Sequence, residues 1–309
     1  MTETPEPAGP AELVEFAEPR GVALGMVWDA DSATAGRQNP LLVDVFVGVR
    51  RCLSAKGADL VMLAAARPED GVDAYVHAAR RHDLDGVLVM GVDEGHPALT
   101  ALTASGLACV AVDLPIYRSR TTYVASDNRA GSASAVGHLR SLGHEAIATV
   151  TGPLSLMPTV ERLVGYRFEM ARAGLPVRSE YVVSGDYTQE SGYACAQRLL
   201  ALPEPPTAIF AADDRMAVGV LRALADAGVS VPGEISVIGF DDVDAAALVR
   251  PGLTTVAQDH EAISEGAVEL LLRTIDGKSA DDDDRHAAEP LLVPTRLVIR
   301  ESCGVVARG

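Results

Sequence analysis

From Gly21 onward the chain alternates short, unbroken apolar runs with single segments of helical periodicity, and this alternation limits the folds open to it. "GVALGMVW" (21–28) is apolar throughout and is followed by Asp, as suits a strand buried on both faces. "LLVDVFVGVRRCLSAKG" (41–57) spaces its apolar residues for a helix and ends in Gly. "LVMLAA", a helix over 70–82, "GVLVMGV", a helix over 95–105 and "LACVAVD" complete a first half. The second half repeats the pattern. A helix capped by Asp127 or Asn128 runs to Gly143, then come "AIATVTG", a helix near 158–173 and "YVVSGD". A helix near 188–202, "TAIFAAD", a helix from Asp213 to Gly228 and "ISVIGFD" follow. Apolar strands separated by single helices predict an α/β fold of two doubly wound, parallel-sheet lobes.

Length agrees with two lobes, since 309 residues with 48% hydrophobic content supply two cores. Aromatics are only 4%, so those cores rest on Val, Leu, Ile and Ala. A net charge of -17, from 43 acidic and 26 basic residues, repels phosphate backbones and anionic membranes. Cys52, Cys109, Cys195 and Cys303 form no C-x-x-C pair and lack histidines at ligand spacing, so they read as reduced packing residues. Residues 1–20 hold five Glu, four Pro and one Arg, which predicts a disordered acidic tail and not a secretory signal. No apolar stretch reaches the ~18 residues a membrane helix needs, and a cytoplasmic location is expected.

Carboxylates recur where the apolar runs stop. Asp29, Asp93, Asp113, Asp213 and Asp241 each end or closely follow a predicted strand. In open parallel sheets, ligands bind beyond the carboxyl ends of the strands, so these acids line the expected crevice. Helix capping explains Asp127 and Asp213 equally well. It explains Asp113, which precedes Pro115, and Asp241, which is paired with Asp242, less well. After both sheets are complete, "LTTVAQD", a helix over 260–276, a polar loop and "PLLVPTRLVIR" are left over, which suggests that the chain crosses between lobes more than once.

The segments "DNRAGSASAVGHLRSLGHEAIATVTGP" (127–153), "ERLVGYRFEMARAGLP" (161–176), "PTAIFAADDRMAVGVLRALADAGVSVPGEISVIGFDD" (206–242), "PGLTTVAQD" (251–259) and "RLVIRES" (296–302) resemble the effector-binding core of the lactose/galactose-repressor family of transcription regulators, across about residues 21–303. The resemblance implies the type I periplasmic-binding-protein fold: two lobes, three crossovers, a small ligand in the cleft between. It places the crossings near 126, near 258 and in the 278–290 loop. The first lobe is then 21–126 with 259–284, and the second 127–258 with 285–309. Carried over by position, Arg162 matches the family's cleft arginine and Asp241 its sugar-hydroxyl acceptor. Asp113, Tyr187 and Gln258 match cleft-lining positions, Asp213 stands where Asn is usual, and Asn39-Pro40 matches the start of the first helix.

Such a set suits a polyol. Each carboxylate accepts two hydroxyl hydrogen bonds, and Arg162 offers a planar fork of donors. Tyr187 and Trp28 are scarce aromatics able to stack on an apolar sugar face, although Trp28 is equally suited to a core. With Asp113, Asp213 and Asp241 facing one arginine, the expected ligand is neutral or cationic: a sugar, polyol or nucleoside-like effector. No cofactor and no membrane contact are expected; a homodimer is. Three departures stand out: Leu41-Leu42 replace an aromatic pair, the 29–38 loop is long, and residues 1–20 cannot hold a helix-turn-helix headpiece. DNA contact is therefore expected only if another segment or a partner supplies one. A transport-linked solute-binding protein is the second reading, and a glycoside hydrolase using the paired acids a third.

Other motifs carry little. "DGKS" (276–279) lacks the glycine of a phosphate-binding loop, and "DDDD" (281–284) lacks the spacers and glycine turn of a calcium cage. His77 and His82 are five apart and His138 and His144 six apart, off the spacing of a metal-binding helix face.

Overall fold

The computed structural model describes residues 21–28, 40–63, 73–92, 95–116, 120–277 and 289–306. They form two six-stranded sheets, dominated by parallel pairs and covered by helices on both faces, the class the alternation predicts.

The first sheet holds β1 (Ala23–Trp28), β2 (Asp59–Leu63), β3 (Gly86–Met90), β4 (Ala108–Val112), β5 (Thr121–Ser126) and β11 (Leu291–Val293). Its spatial order is β11-β5-β4-β3-β1-β2, with every neighbouring pair parallel. Helices α1 (Pro40–Ala55) and α9 (His260–Asp276) cover one face, packing Val45, Val49, Ile263 and Leu271 on Met26, Leu88 and Val110. Helices α2 (Ala74–Arg81) and α3 (Pro97–Ala104) cover the other, with Tyr75, Leu99 and Leu102 on Val27, Val87 and Val89. Strands β3 and β4 are buried at every position, which is why their sequences show no polar alternation.

The second sheet holds β6 (Ile147–Thr151), β7 (Val182–Ser184), β8 (Ala208–Ala211), β9 (Ser236–Asp241), β10 (Thr254–Ala257) and β12 (Arg296–Val298), in the order β12-β10-β9-β8-β6-β7. Only β10 and β12 pair antiparallel. Helices α4 (Asn128–Ser141) and α5 (Met157–Arg172) set Leu139, Leu163 and Tyr166 on Phe210, Ile238 and Phe240. Helices α6 (Gln189–Leu200) and α7 (Asp214–Asp226) set Leu199, Met216 and Val220 on Ile209 and Val237, and the short α8 (Asp244–Leu248) adds Ala246 to that layer. These two helices meet backbone to backbone: a Cβ at Gly219 would lie 2.0 Å from the Gln189 carbonyl oxygen, so only glycine fits. The contact sets how closely α7 lies on α6.

Among the described residues the chain passes between sheets three times: from β5 into α4 at Asp127, from β10 into α9 at Gln258–Asp259, and from β11 into β12 through Pro294–Thr295. The last differs from the crossing expected in the 278–290 loop. "PLLVPTRLVIR" reads as one strand but is two, and "LLV" pairs with β5 of the first sheet, Leu291 opposite Val124. Pro294 separates the two pieces, and an apolar triplet does not reveal which sheet edge it covers. Strand β5 was also not foreseen, because "TTYVAS" lacks an unbroken apolar run; its Thr121, Thr122 and Ser126 are buried all the same. No described helix is long and apolar enough to cross a membrane.

Candidate functional site

Strand ends from both sheets turn into one region through strained backbone. Non-glycine residues rarely adopt positive φ, and the cost is of order 1–3 kcal/mol each. Among the described residues five do so, and four are here: Asp113 after β4 (φ 54), Tyr187 before α6 (φ 65), Asp241 ending β9 (φ 109) and Asp242 (φ 57). The surroundings hold the Asp241-Asp242 turn from two sides. Arg300 Nη2 lies 2.6 Å from Asp242 Oδ1, and the Val243 amide donates to Asp214 Oδ2 at 2.9 Å.

Arg162, on the inward face of α5, is buried to 4% exposure. Its Nε donates to Asn128 Oδ1 at 2.8 Å, Nη1 donates to the Ala212 carbonyl at 2.5 Å, and Nη2 lies 3.2 Å from Asp241 Oδ1. The guanidinium also lies over the Phe240 ring, 3.8 Å from its centroid. Burial disfavours its charge, but Asp241, Tyr187, Asp113 and Asp213 together hold its pKa above the ordinary value. Asp241 Oδ1 accepts a second bond, 2.6 Å from Gln258 Nε2, and Gln258 Oε1 accepts from Ser126 Oγ at 2.6 Å. One hydrogen-bonded chain thus runs from the first sheet (Ser126) through the second crossover (Gln258) to the second lobe (Asp241, Arg162) and returns to the first crossover at Asn128.

The other acids lie around this chain. Asp113 is pushed up to about 6, chiefly by burial and further by Asp241, with Arg162 opposing; its Oδ1 is enclosed and has no hydrogen-bond partner. Asp213 is also pushed up to about 6, first by burial and then by Asp241. It caps α7, accepting from the Met216 amide at 2.8 Å, and its Oδ2 lies 3.4 Å from Arg215 Nε. Asp241 is raised by burial against the opposing pull of Arg162 and Gln258. Tyr187 stacks on the backbone at Gly152, its hydroxyl 2.5 Å from Thr159 Oγ1, and burial lifts its pKa to about 12. Trp28, at the end of β1, packs against the first core with its ring 5.9 Å from Phe46, and its enclosed Nε1 has no partner. Asp29, Asn39 and Asp93 lie outside the described residues. A cavity of about 480 Å³ opens beside the network, walled by Asp113, Ser126 and Asn128 together with Tyr123, Pro158 and Leu292. That volume lies within the range of small-molecule sites, about 300–1,000 Å³.

Four participants were not singled out from sequence. Asn128 offers itself in the sequence only as a helix cap; Asp127 is the cap, accepting from the Ala130 amide, and Asn128 instead receives Arg162. Asp214 is fully buried behind Asp241, accepting from Thr255 Oγ1 at 2.6 Å, and burial holds its carboxyl well above the usual range. Ser126 closes the network at the first sheet. His260, the first residue of α9, sets Nδ1 3.2 Å from Asp44 Oδ2, while its enclosed Nε2 is unpartnered. The tandem Asp213-Asp214 after an apolar run was a visible signal for one of these; a lone Ser or His offers none.

The chemistry the arrangement offers is hydrogen bonding and charge: buried acceptors, unpartnered ring nitrogens of Trp28 and His260 on the first lobe, and a fixed cation. Among the described residues no cluster of His, Cys, Asp and Glu has metal-holding geometry.

Residues 136–303 match the periplasmic binding protein-like domain family. The ribose operon repressor of Escherichia coli (strain K12) is 32% identical over 238 residues, covering 77% of this chain and 72% of the repressor. This chain belongs to the LacI family of transcription regulators. Its fold superposes on that family's solved structures. The transcriptional regulator CelR in complex with cellobiose matches with a TM-score of 0.80 at 29% identity, covering 92% of this chain and 86% of CelR. The lac repressor dimer bound to operator and the anti-inducer ONPF matches with a TM-score of 0.76 at 25% identity, covering 93% of this chain and 96% of that one.

Burying Asp113 without a partner for Oδ1 has a measurable consequence. Its folded carboxyl titrates near 6 against an ordinary 3.8, so folding takes up a proton between those values. Stability therefore falls as pH rises through that window. Ligand-free Asp113→Asn is expected to melt above the parent at pH 7.5, by the equivalent of at most about 2–3 kcal/mol, the gap closing toward pH 4. Thermal unfolding followed by circular dichroism measures this; a lower melting point at pH 7.5 contradicts it.

Proposed function

We propose that the chain is the effector-sensing core of a LacI-type transcription regulator, taking a small neutral or cationic sugar, polyol or nucleoside-like ligand between its lobes. The observation that carries this is the buried network Ser126–Gln258–Asp241–Arg162–Asn128. It joins both sheets and two crossovers beside a cavity of about 480 Å³. A ligand bonded to Asp113 on one side and to Arg162 and Asp241 on the other favours the closed form by the contacts it gains there. CelR with cellobiose, a related protein of the same fold, supports the sugar class. The neutral or cationic character follows from charge: Asp113, Asp213 and Asp241 surround one buried guanidinium, so an added anion meets net repulsion.

Asp113, Arg162, Asp213, Asp241, Gln258, Tyr187, Trp28 and Asn39 are the proposed ligand contacts. The role is regulatory and cytoplasmic, and operator contact falls to a DNA-binding element other than these acidic lobes. The chain acts as a homodimer through α1 and edge strand β2, where Val43, Met62 and Val47 are 42%, 47% and 56% exposed. Sedimentation velocity tests the dimer: a monomer at tens of micromolar contradicts it.

Thermal-shift screening of neutral, amine-bearing and acidic sugars, followed by calorimetry, tests the sensor. A neutral or amine-bearing polyol is expected to bind. Charge-assisted hydrogen bonds are worth about 1.5–3 kcal/mol, so Asp241→Asn and Arg162→Met should each weaken binding roughly ten- to a hundredfold. Preferential binding of a uronic acid or sugar phosphate overturns the charge argument, and unaltered affinity in both variants removes the site.

A further inference from the structure

The buried carboxylates of the cleft are not equally compensated. Asp241 has Arg162 at 3.2 Å and Gln258 at 2.6 Å. Asp213 has the Met216 amide at 2.8 Å and Arg215 at 3.4 Å. Asp214 uses both oxygens, taking Thr255 Oγ1 at 2.6 Å and the Val243 amide at 2.9 Å. Asp113 is the exception. Its support is a backbone hydrogen bond from Ser126, and its Oδ1 is enclosed with no partner in a residue that lines the cavity. Arg162 acts on it through charge, while its three nitrogens bond to Asn128, Ala212 and Asp241. Asp241 makes matters worse, its charge opposing ionisation of Asp113.

We propose that the cleft selects a cationic, hydroxyl-rich ligand, an amino sugar or amino polyol whose protonated amine sits against Asp113 Oδ1. This rests on the sensor role proposed above and narrows its ligand class. An ammonium group supplies the missing donor and the missing charge together, whereas a hydroxyl supplies only the donor. Exclusion of water strengthens the charge pairing, and it equally penalises a carboxylate left alone. The remaining hydroxyls of the ligand meet the free oxygen of Asp241. The unpartnered indole N–H of Trp28 and the His260 imidazole lie on the first lobe's side, the latter close enough for its charge to act on both Asp113 and Asp241. The competing solution is that Asp113 takes up a proton and donates to a neutral sugar oxygen, which burial favours by raising its pKa and which lower pH favours further.

Calorimetry on the full chain at pH 7.5 with matched pairs decides between them: D-glucosamine against D-glucose, D-galactosamine against D-galactose, and 1-amino-1-deoxy-D-sorbitol against D-sorbitol, with the N-acetyl sugars as uncharged controls. The amine of at least one pair is expected to bind at least tenfold more tightly than its hydroxyl partner. N-acetylation should abolish that preference, and Asp113→Asn should reduce it to under threefold. Equal or tighter binding of the neutral partner in every pair that binds overturns the proposal, as does a preference that survives acetylation or Asp113→Asn. Binding of a neutral sugar without amine preference removes this inference alone and leaves the sensor role standing. Binding of no amine in the set also overturns it.

Discussion

A guanidinium taken out of water must have its donors and its charge satisfied by the protein, because one left unpaired costs several kcal/mol. Arg162 meets that demand by drawing on Asn128 at the start of α4, the Ala212 carbonyl beyond β8, and Asp241 at the end of β9, while Phe240 lies beneath its plane. Those groups lie on different elements of the second lobe and come together only if the sheet and both helix layers are in place. The charge thereby fixes the position of Asp241, and through Gln258 and Ser126 it ties that position to the first sheet. Removing the arginine would strand a carboxylate as well as open a void, so the site and the hinge share one support.

Strain and desolvation gather at the same place. Asp113, Tyr187, Asp241 and Asp242 occupy left-handed backbone that glycine would adopt more cheaply, and three of the four are acids. Folding also raises the pKa of Asp113, Asp213, Asp214 and Asp241, mainly through burial. Each feature opposes stability in the ligand-free chain, and a bound molecule that supplies donors or positive charge relieves it. That is the usual relation between a strained binding site and its host fold. The sensor role proposed above uses this relation, with a ligand reaching acids carried by both lobes.

The layered fold is legible because the central strands of both sheets are buried on both faces, and their apolar runs are unmistakable. Strand β5 has no apolar run to mark it, since "TTYVAS" buries three hydroxyls of which the crossover satisfies one, that of Ser126, and β11 merges with β12 in sequence because an apolar triplet carries no mark of the sheet it joins. Within the site, Asp241 could be read from residues alone, an apolar run delivering a pair of acids to a sheet rim. Arg162 could not: one arginine on an amphipathic helix is ordinary, and only likeness to a family singled it out. Asn128, Ser126 and His260 act through partners more than thirty residues away, or stand unpartnered, and no local pattern reports such pairings. Asp213 kept both roles open in sequence, and the structure shows it capping α7 beside Arg215 while also sharing the field of Asp241.

The central claim is that acids carried by two separate sheets hold a single small molecule. A crystal structure of the chain with a bound polyol tests it most directly. The account predicts a ligand within hydrogen-bond distance of Asp113 in the first lobe and of both Arg162 and Asp241 in the second. A ligand held wholly by one lobe, with Asp113 or Asp241 facing solvent, would contradict it.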